Sequence, residues 1–214
     1  MKITLYTLKG GAGKTPLSML FALDKEFAVG TNESYDMYSD FMPQERLLFV
    51  QSDEEFPHIP DDIDVVFDLA GTMTKHDYSI LSAIRQSDVV LIPIWNNIGS
   101  IRGGLKSISA VAGHNPNIIV IATKLSTKSR KKGQTWEESQ DFMAVKNAVL
   151  TLEEDLGFIP KVLPLKFSEV FETLLRDYVS VHQLAAGSGL AAYTHRELLQ
   201  QIDDINEEVA RYDS

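Results

Sequence analysis

The chain has 214 residues, 30 of them acidic and 20 basic, giving a formal net charge of −10. A chain this acidic is a poor general nucleic-acid binder unless its cations cluster. It has no cysteine, which excludes disulfides, thiolate metal sites and cysteine nucleophiles, and fits a reducing cytoplasm.

The length suits one α/β domain over residues 1–214. Short apolar runs recur along it: Ile3 to Tyr6, Phe27 to Gly30, Arg46 to Val50, Val65 to Phe67, Val89 to Ile94, Ile118 to Ala122 and Lys161 to Leu165. These runs are continuous rather than alternating, as in strands buried on both faces of a parallel sheet. Helix candidates lie between them, at Leu17 to Phe21, Tyr78 to Arg85, Asp141 to Leu156 and Arg196 to Arg211. The alternation predicts a doubly wound, mostly parallel sheet flanked by helices. Gly113 to Asn117 reads as a turn, and Ser126 to Thr135 as a polar, basic loop within the domain. No run approaches ~18 apolar residues, so no transmembrane helix is expected. The apolar start is too short for a signal sequence.

The strongest signal follows the first strand: Lys9-Gly10-Gly11-Ala12-Gly13-Lys14-Thr15, then Pro16. Glycines let the backbone turn and aim several N–H groups inward, forming an anion nest. Lys14 can reach the β- and γ-phosphates of a nucleotide, and the Thr15 hydroxyl can ligate Mg²⁺. A helix starting near Thr15 would point its positive end at the phosphates, and Pro16 is tolerated in a first turn. A second carboxylate fits this site. Asp68 ends the apolar run at Val65 to Phe67, where it can hold Mg²⁺ through water, and Gly71 can let the next loop respond to a γ-phosphate.

The plain phosphate-loop pattern fails at Leu8, but the variant K-G-G-x-G-K-T fits completely. This stretch resembles the deviant Walker ATPases, the ParA and MinD group, and Asp68 with Gly71 resembles that group's Walker B and switch II region. The resemblance implies a P-loop ATPase in which Lys9 acts across a nucleotide-bridged dimer. It gives Lys9, Lys14 and Asp68 catalytic roles, and Thr15 and Asp68 the metal. Lys9 through Pro16, with Thr123, would contact the nucleotide. Near the base, Thr123 and Pro164 to Phe167 are the matching positions. The stretch Ser168 to Tyr178 resembles the helical segment after the last strand of small ParA proteins. One departure stands out. ParA-type proteins carry Asp-x-Asp-Pro-Gln after the second strand, and Ala28 to Asp36 contains no such motif. Asn32, Glu33 and Asp36 are candidate replacements that spacing alone does not separate, although a carboxylate is the better proton acceptor.

Lys124, Lys128, Arg130, Lys131 and Lys132 form the one dense basic cluster, a candidate for non-specific DNA contact through phosphates. Arg102 is a further cation of uncertain place. The end of the chain, with Glu197, Asp203, Asp204, Glu207 and Glu208, is too acidic for the membrane helix of MinD proteins. The five histidines lack metal-ligand spacing, and Trp95 and Trp136 read as core or rim residues. The expectation is a cytoplasmic, Mg-dependent ATPase switch that dimerises with ATP and acts in plasmid or chromosome partition. A centromere-binding, ParB-type partner follows by analogy, as does a small form with no N-terminal DNA-reading extension. The alternatives are a metabolic P-loop transferase or synthetase related to dethiobiotin synthetase, and a nearly inactive ATP-binding module.

Overall fold

The computed structural model describes residues 1–33, 37–71 and 78–213. In chain order the elements are β1 (Lys2–Leu5), α1 (Lys14–Asp24), β2 (Ala28–Thr31), β3 (Leu47–Phe49), β4 (Val65–Asp68), α2 (Tyr78–Gln86), β5 (Val89–Trp95) and α3 (Ile98–Ala112). They continue with β6 (Ile118–Leu125), α4 (Gln140–Leu150), α5 (Glu153–Leu156), β7 (Lys161–Lys166), α6 (Val170–Asp177), α7 (Val181–Ala186) and α8 (Gly189–Val209). The strands form one sheet in the order β3-β2-β4-β1-β5-β6-β7, and every pairing is parallel.

Side chains alternate between two cores, which explains the continuous apolar runs. Ile3 and Leu5 face one side with Val66, Val89, Leu91, Ile119 and Ile121, and are covered by α1, α6, α7 and α8. Tyr6 faces the other with Val65, Phe67, Val90, Ile92 and Val120, covered by α2, α3 and α4. A parallel sheet needs both faces covered, because each strand returns through a crossover helix. In β2, Gly30 is required by close packing. A Cβ there would lie 2.5 Å from the Phe67 ring.

All seven expected strands are present. The helices need three corrections. The stretch Asp141 to Leu156 is not one helix. The α4 helix stops at Thr151, whose hydroxyl bonds back to the Ala148 carbonyl at 2.6 Å, and the short α5 ends at Gly157 with φ 74°. The last helix begins at Gly189 rather than Arg196, because Ser188 caps it by accepting the Ala191 N–H at 3.1 Å. Its charged residues are not all outward: Glu208 is buried and pairs with Lys161 and Arg211. Finally, α3 had no counterpart in the periodicity, because Gly99, Gly103 and Gly104 dilute its pattern.

The central place of β1, between β4 and β5, makes this the point where strand order switches direction. Ligands in open α/β sheets bind outside the carboxyl ends of the strands at such a point. The helix that follows β1 is clamped to the last two helices by one imidazole. His182 Nδ1 lies 2.9 Å from Asp24 at the end of α1, and its Nε2 lies 3.1 Å from Asp203 on α8. Partial burial of the ring opposes protonation, but the two carboxylates outweigh it, and the His182 pKa sits above its ordinary value. Only the imidazolium donates to both carboxylates.

A raised folded-state pKa contributes stability that is fully present below the unfolded value, about 6.5, and is lost as pH rises through the folded value. Thermal melts of the parent and of His182→Ala should therefore differ most near pH 6 and converge toward pH 9. A gap that is constant across that range would show that the ring acts only by packing.

Candidate functional site

The loop Lys9 to Gly13 joins β1 to α1. Gly11 has φ 75° and Gly13, the residue preceding the helix, has φ 104°. Both lie in the left-handed region, where a side chain is disfavoured. The turn brings the loop back over the amino end of α1, whose free N–H groups and dipole favour an anion. Lys14, the first helical residue, is buried at 8 % exposure. Gly10, Gly11, Gly13, Lys14, Thr15 and Pro16 line one open cleft together with Glu33 and Lys124. Thr123 braces the loop from β6, its hydroxyl donating to the Ala12 carbonyl at 2.9 Å.

Lys9 is exposed and is not among the residues lining this cleft. Its stem lies along α3. A Cβ on Gly103 would come within 3.0 Å of Lys9 Cβ, and one on Gly99 within 3.7 Å of its Cε. Ser107, one turn on from Gly103, accepts the Leu8 N–H at 2.9 Å. The glycines of α3 thus admit the start of the loop against the helix.

Asp68 ends β4 beside the loop, at 1 % exposure. Its Oδ2 accepts the Tyr38 phenol at 2.8 Å. Its Oδ1 is buried and has no hydrogen-bond partner among the described residues. Burial pushes the Asp68 pKa up, while the hydroxyls of Thr15 and Tyr38 and the Lys14 ammonium pull the other way. The Thr15 hydroxyl lies near enough to favour the anion without a regular hydrogen bond to Oδ1. Thr15, Thr31, Glu33, Met37, Tyr38 and Asp68 line a second, adjoining cleft. A buried carboxylate oxygen left without a donor, next to a threonine hydroxyl, is a donor set that fits a hard divalent cation.

Tyr38 was not legible as a site residue. It stands on a single turn, Tyr38–Asp40, after β2, and its phenol also meets Ser18 of α1. The three candidate replacements for the absent aspartate now separate. Asn32 is buried and committed: its Oδ1 accepts the Ala70 N–H at 2.7 Å and its Nδ2 donates to Ser79 at 2.8 Å. Glu33 lines both clefts. Asp36 lies outside the described residues, as do positions 72–77 after Gly71. Gly71 itself packs on the loop strand, since a Cβ there would stand 3.0 Å from the Thr7 carbonyl oxygen.

Behind the loop is a third, mostly apolar cleft of about 190 Å³. Ala12, Gly13, Pro16 and Leu17 form one side, Thr123 and Lys124 the floor, and Leu165 through Ser168 with Phe171, Glu172 and Leu175 the other side. Leu165, Lys166 and Phe167 are thus where a base-contacting stretch was expected, while Pro164 is not in the lining. The basic cluster, by contrast, is divided. Lys124 lines both the cleft over the glycine turn and the apolar cleft behind it. Arg130 lies over the Trp136 ring, 4.1 Å from its centre, and pairs with Glu197 at 3.3 Å. Lys128, Lys131 and Lys132 remain as its exposed part.

No family model matches the chain, and no curated protein matches its sequence. Solved structures do match in shape. The apo form of McdA from Cyanothece aligns over 97 % of this chain and 98 % of its own, with a TM-score of 0.58 and 12 % identity. The septum site-determining protein MinD from Pyrococcus horikoshii, complexed with Mg-ADP, aligns over 99 % and 98 %, with a TM-score of 0.57 and 12 % identity. The pnob8 ParA aligns over 98 % and 97 %, with a TM-score of 0.53 and 13 % identity. The chain has the fold of these ParA- and MinD-type proteins.

Removing the Tyr38 phenol leaves Asp68 Oδ2 buried without its donor, so Tyr38→Phe should destabilise the ligand-free protein by about 1–3 kcal/mol. Urea unfolding measures this; an unchanged midpoint would mean that the carboxylate finds another donor.

Proposed function

We propose that this chain is an ATP-binding, Mg²⁺-dependent ATPase switch that dimerises when it holds a triphosphate and acts in partition or positioning of a cargo such as a plasmid or chromosome. The observation that carries the reading is the pairing of the glycine turn at the amino end of α1 with the buried, donor-poor Asp68 oxygen beside Thr15. The ParA, MinD and McdA folds support it.

In this reading the main-chain amides of Gly10 to Lys14 and the Lys14 ammonium hold the β- and γ-phosphates. Thr15 and Asp68 hold the Mg²⁺, which supplies charge neutralisation on those phosphates. Lys14, already buried, loses little solvation when it meets the anion. Lys9, lying outward on α3, is free to reach a second copy. The apolar cleft between Pro16 and Phe167 takes the base. Phosphoryl transfer of this kind depends on positioning and electrostatics, and one position is unusual. Where the family has an aspartate, Asn32 is bound up in the Ala70 and Ser79 contacts, and Glu33 is the carboxylate that lines both clefts. We assign Glu33 to orienting the attacking water. A centromere-binding protein is the natural stimulating partner by analogy with the ParA group, and Lys128, Lys131 and Lys132 are the side chains left for non-specific DNA. The nearly inactive ATP-binding module stays as the second reading, because a glutamate is longer than the aspartate it replaces.

Light scattering with ADP, ATP and a slowly hydrolysed analogue should show a larger species only with the triphosphates. Lys9→Ala should still take up nucleotide by calorimetry yet fail to form that species; normal assembly by this variant would remove the in-trans role. Failure of the parent to bind any purine triphosphate with Mg²⁺ would overturn the proposal as a whole.

Glu33→Gln should lower steady-state phosphate release by about 100-fold or more, with ATP affinity within about threefold of the parent, a change worth under ~1 kcal/mol. Equal turnover in parent and variant would exclude Glu33, and no turnover in either, with assembly intact, would favour the inactive module.

A further inference from the structure

Lys124 is the one lysine of the basic cluster whose backbone is strained. Its φ is 55°, in the left-handed region that a side chain with a Cβ disfavours. The strain coincides with a break in the β6–β7 register between Ala122 and Leu125. Its side chain is exposed, yet it is not spread over the surface. The ammonium stands over the Trp95 ring, 5.0 Å from its centre, where the ring face attracts a cation. Trp95 closes β5 and is registered against Thr123, so the ring and the lysine stand together at the carboxyl end of the sheet. Among the described residues Lys124 has no ion pair, in contrast to Arg130. It lines both the cleft over the glycine turn and the apolar cleft behind it. That places it where the phosphate chain of a nucleotide would join its nucleoside.

We infer that Lys124 is a nucleotide-binding residue, a third cation beside Lys9 and Lys14 that contacts the phosphate chain at its nucleoside end, and not part of a nucleic-acid patch. The inference rests on the nucleotide reading above. Uncommon backbone conformations in a non-glycine residue cluster at ligand clamps, where the geometry aims a side chain at the cost of local stability. Here the left-handed turn and the register break lift residue 124 out of the strand pattern. The side chain is thereby directed across Trp95 toward the loop, and not along the sheet edge with Lys128. A cation held on an aromatic face is poorly compensated, so an incoming phosphate meets a charge that has no carboxylate to give up.

The test uses the full chain and calorimetry with MgATP and MgADP. Lys124→Gln and Lys124→Gly should each bind both nucleotides about tenfold more weakly, the size expected for one lost charge-assisted contact. Lys146→Gln, exposed on α4 and outside the clefts, should bind like the parent. Lys124→Gly has a second readout. Glycine adopts the left-handed conformation without strain, so its melting temperature should equal or exceed that of the parent while its affinity falls. A purely structural role predicts the reverse pattern. If the parent binds and both Lys124 variants match it, this inference fails and the nucleotide reading stands. If the parent takes up neither nucleotide, both fall.

Discussion

A carboxylate shut away from water at the end of a central strand governs how this molecule is built. Asp68 has 1 % of its surface exposed, and among the described residues its carboxylate has one regular hydrogen bond, from Tyr38. Burying an anion with so little compensation is expensive. The elements that meet there, β4, α1 and the turn after β2, are accordingly cross-tied by side chains. Tyr38 touches both Asp68 and Ser18, Thr31 donates to the Asp68 carbonyl at 2.9 Å, and Lys14 is buried close by. These ties hold the carboxylate in place at the carboxyl end of the sheet.

The sheet was legible because burial on both faces forces continuous apolar runs, and a glycine-rich turn after the first of them marks the candidate site. Asp68, Lys14 and Thr15 could be placed for the same reason: their chemistry is bound to a local pattern. What could not be read depends on contacts distant in sequence. Tyr38 is an ordinary tyrosine until the sheet brings it to residue 68. Asn32 and Glu33 are adjacent and similar in the chain, and only the approach of Ala70 and Ser79 assigns one to structure and leaves the other facing the clefts.

The third helix shows how a local rule can mislead. Three glycines in fifteen residues argue against a helix on propensity alone. Two of them nonetheless have a neighbour that crowds out a side chain: Lys9 Cβ at Gly103, 3.0 Å from an added Cβ, and Ile94 at Gly104, where a Cβ would stand 2.3 Å away. Close approach to the loop strand and to β5 outweighs the propensity cost. The same helix therefore sets where the stem of Lys9 lies.

The two rims of the sheet bear on how copies could associate. One rim is β3, only three residues long, and the other is β7, which carries Pro164 in its middle and a lysine at each end. Proline brings no amide hydrogen to a new neighbour, and a three-residue strand offers only a short ladder. Growth by adding strand to strand is thus disfavoured on both flanks. Association through helical surfaces or across the carboxyl-end crevice would instead leave the backbone ladder of each subunit as it stands.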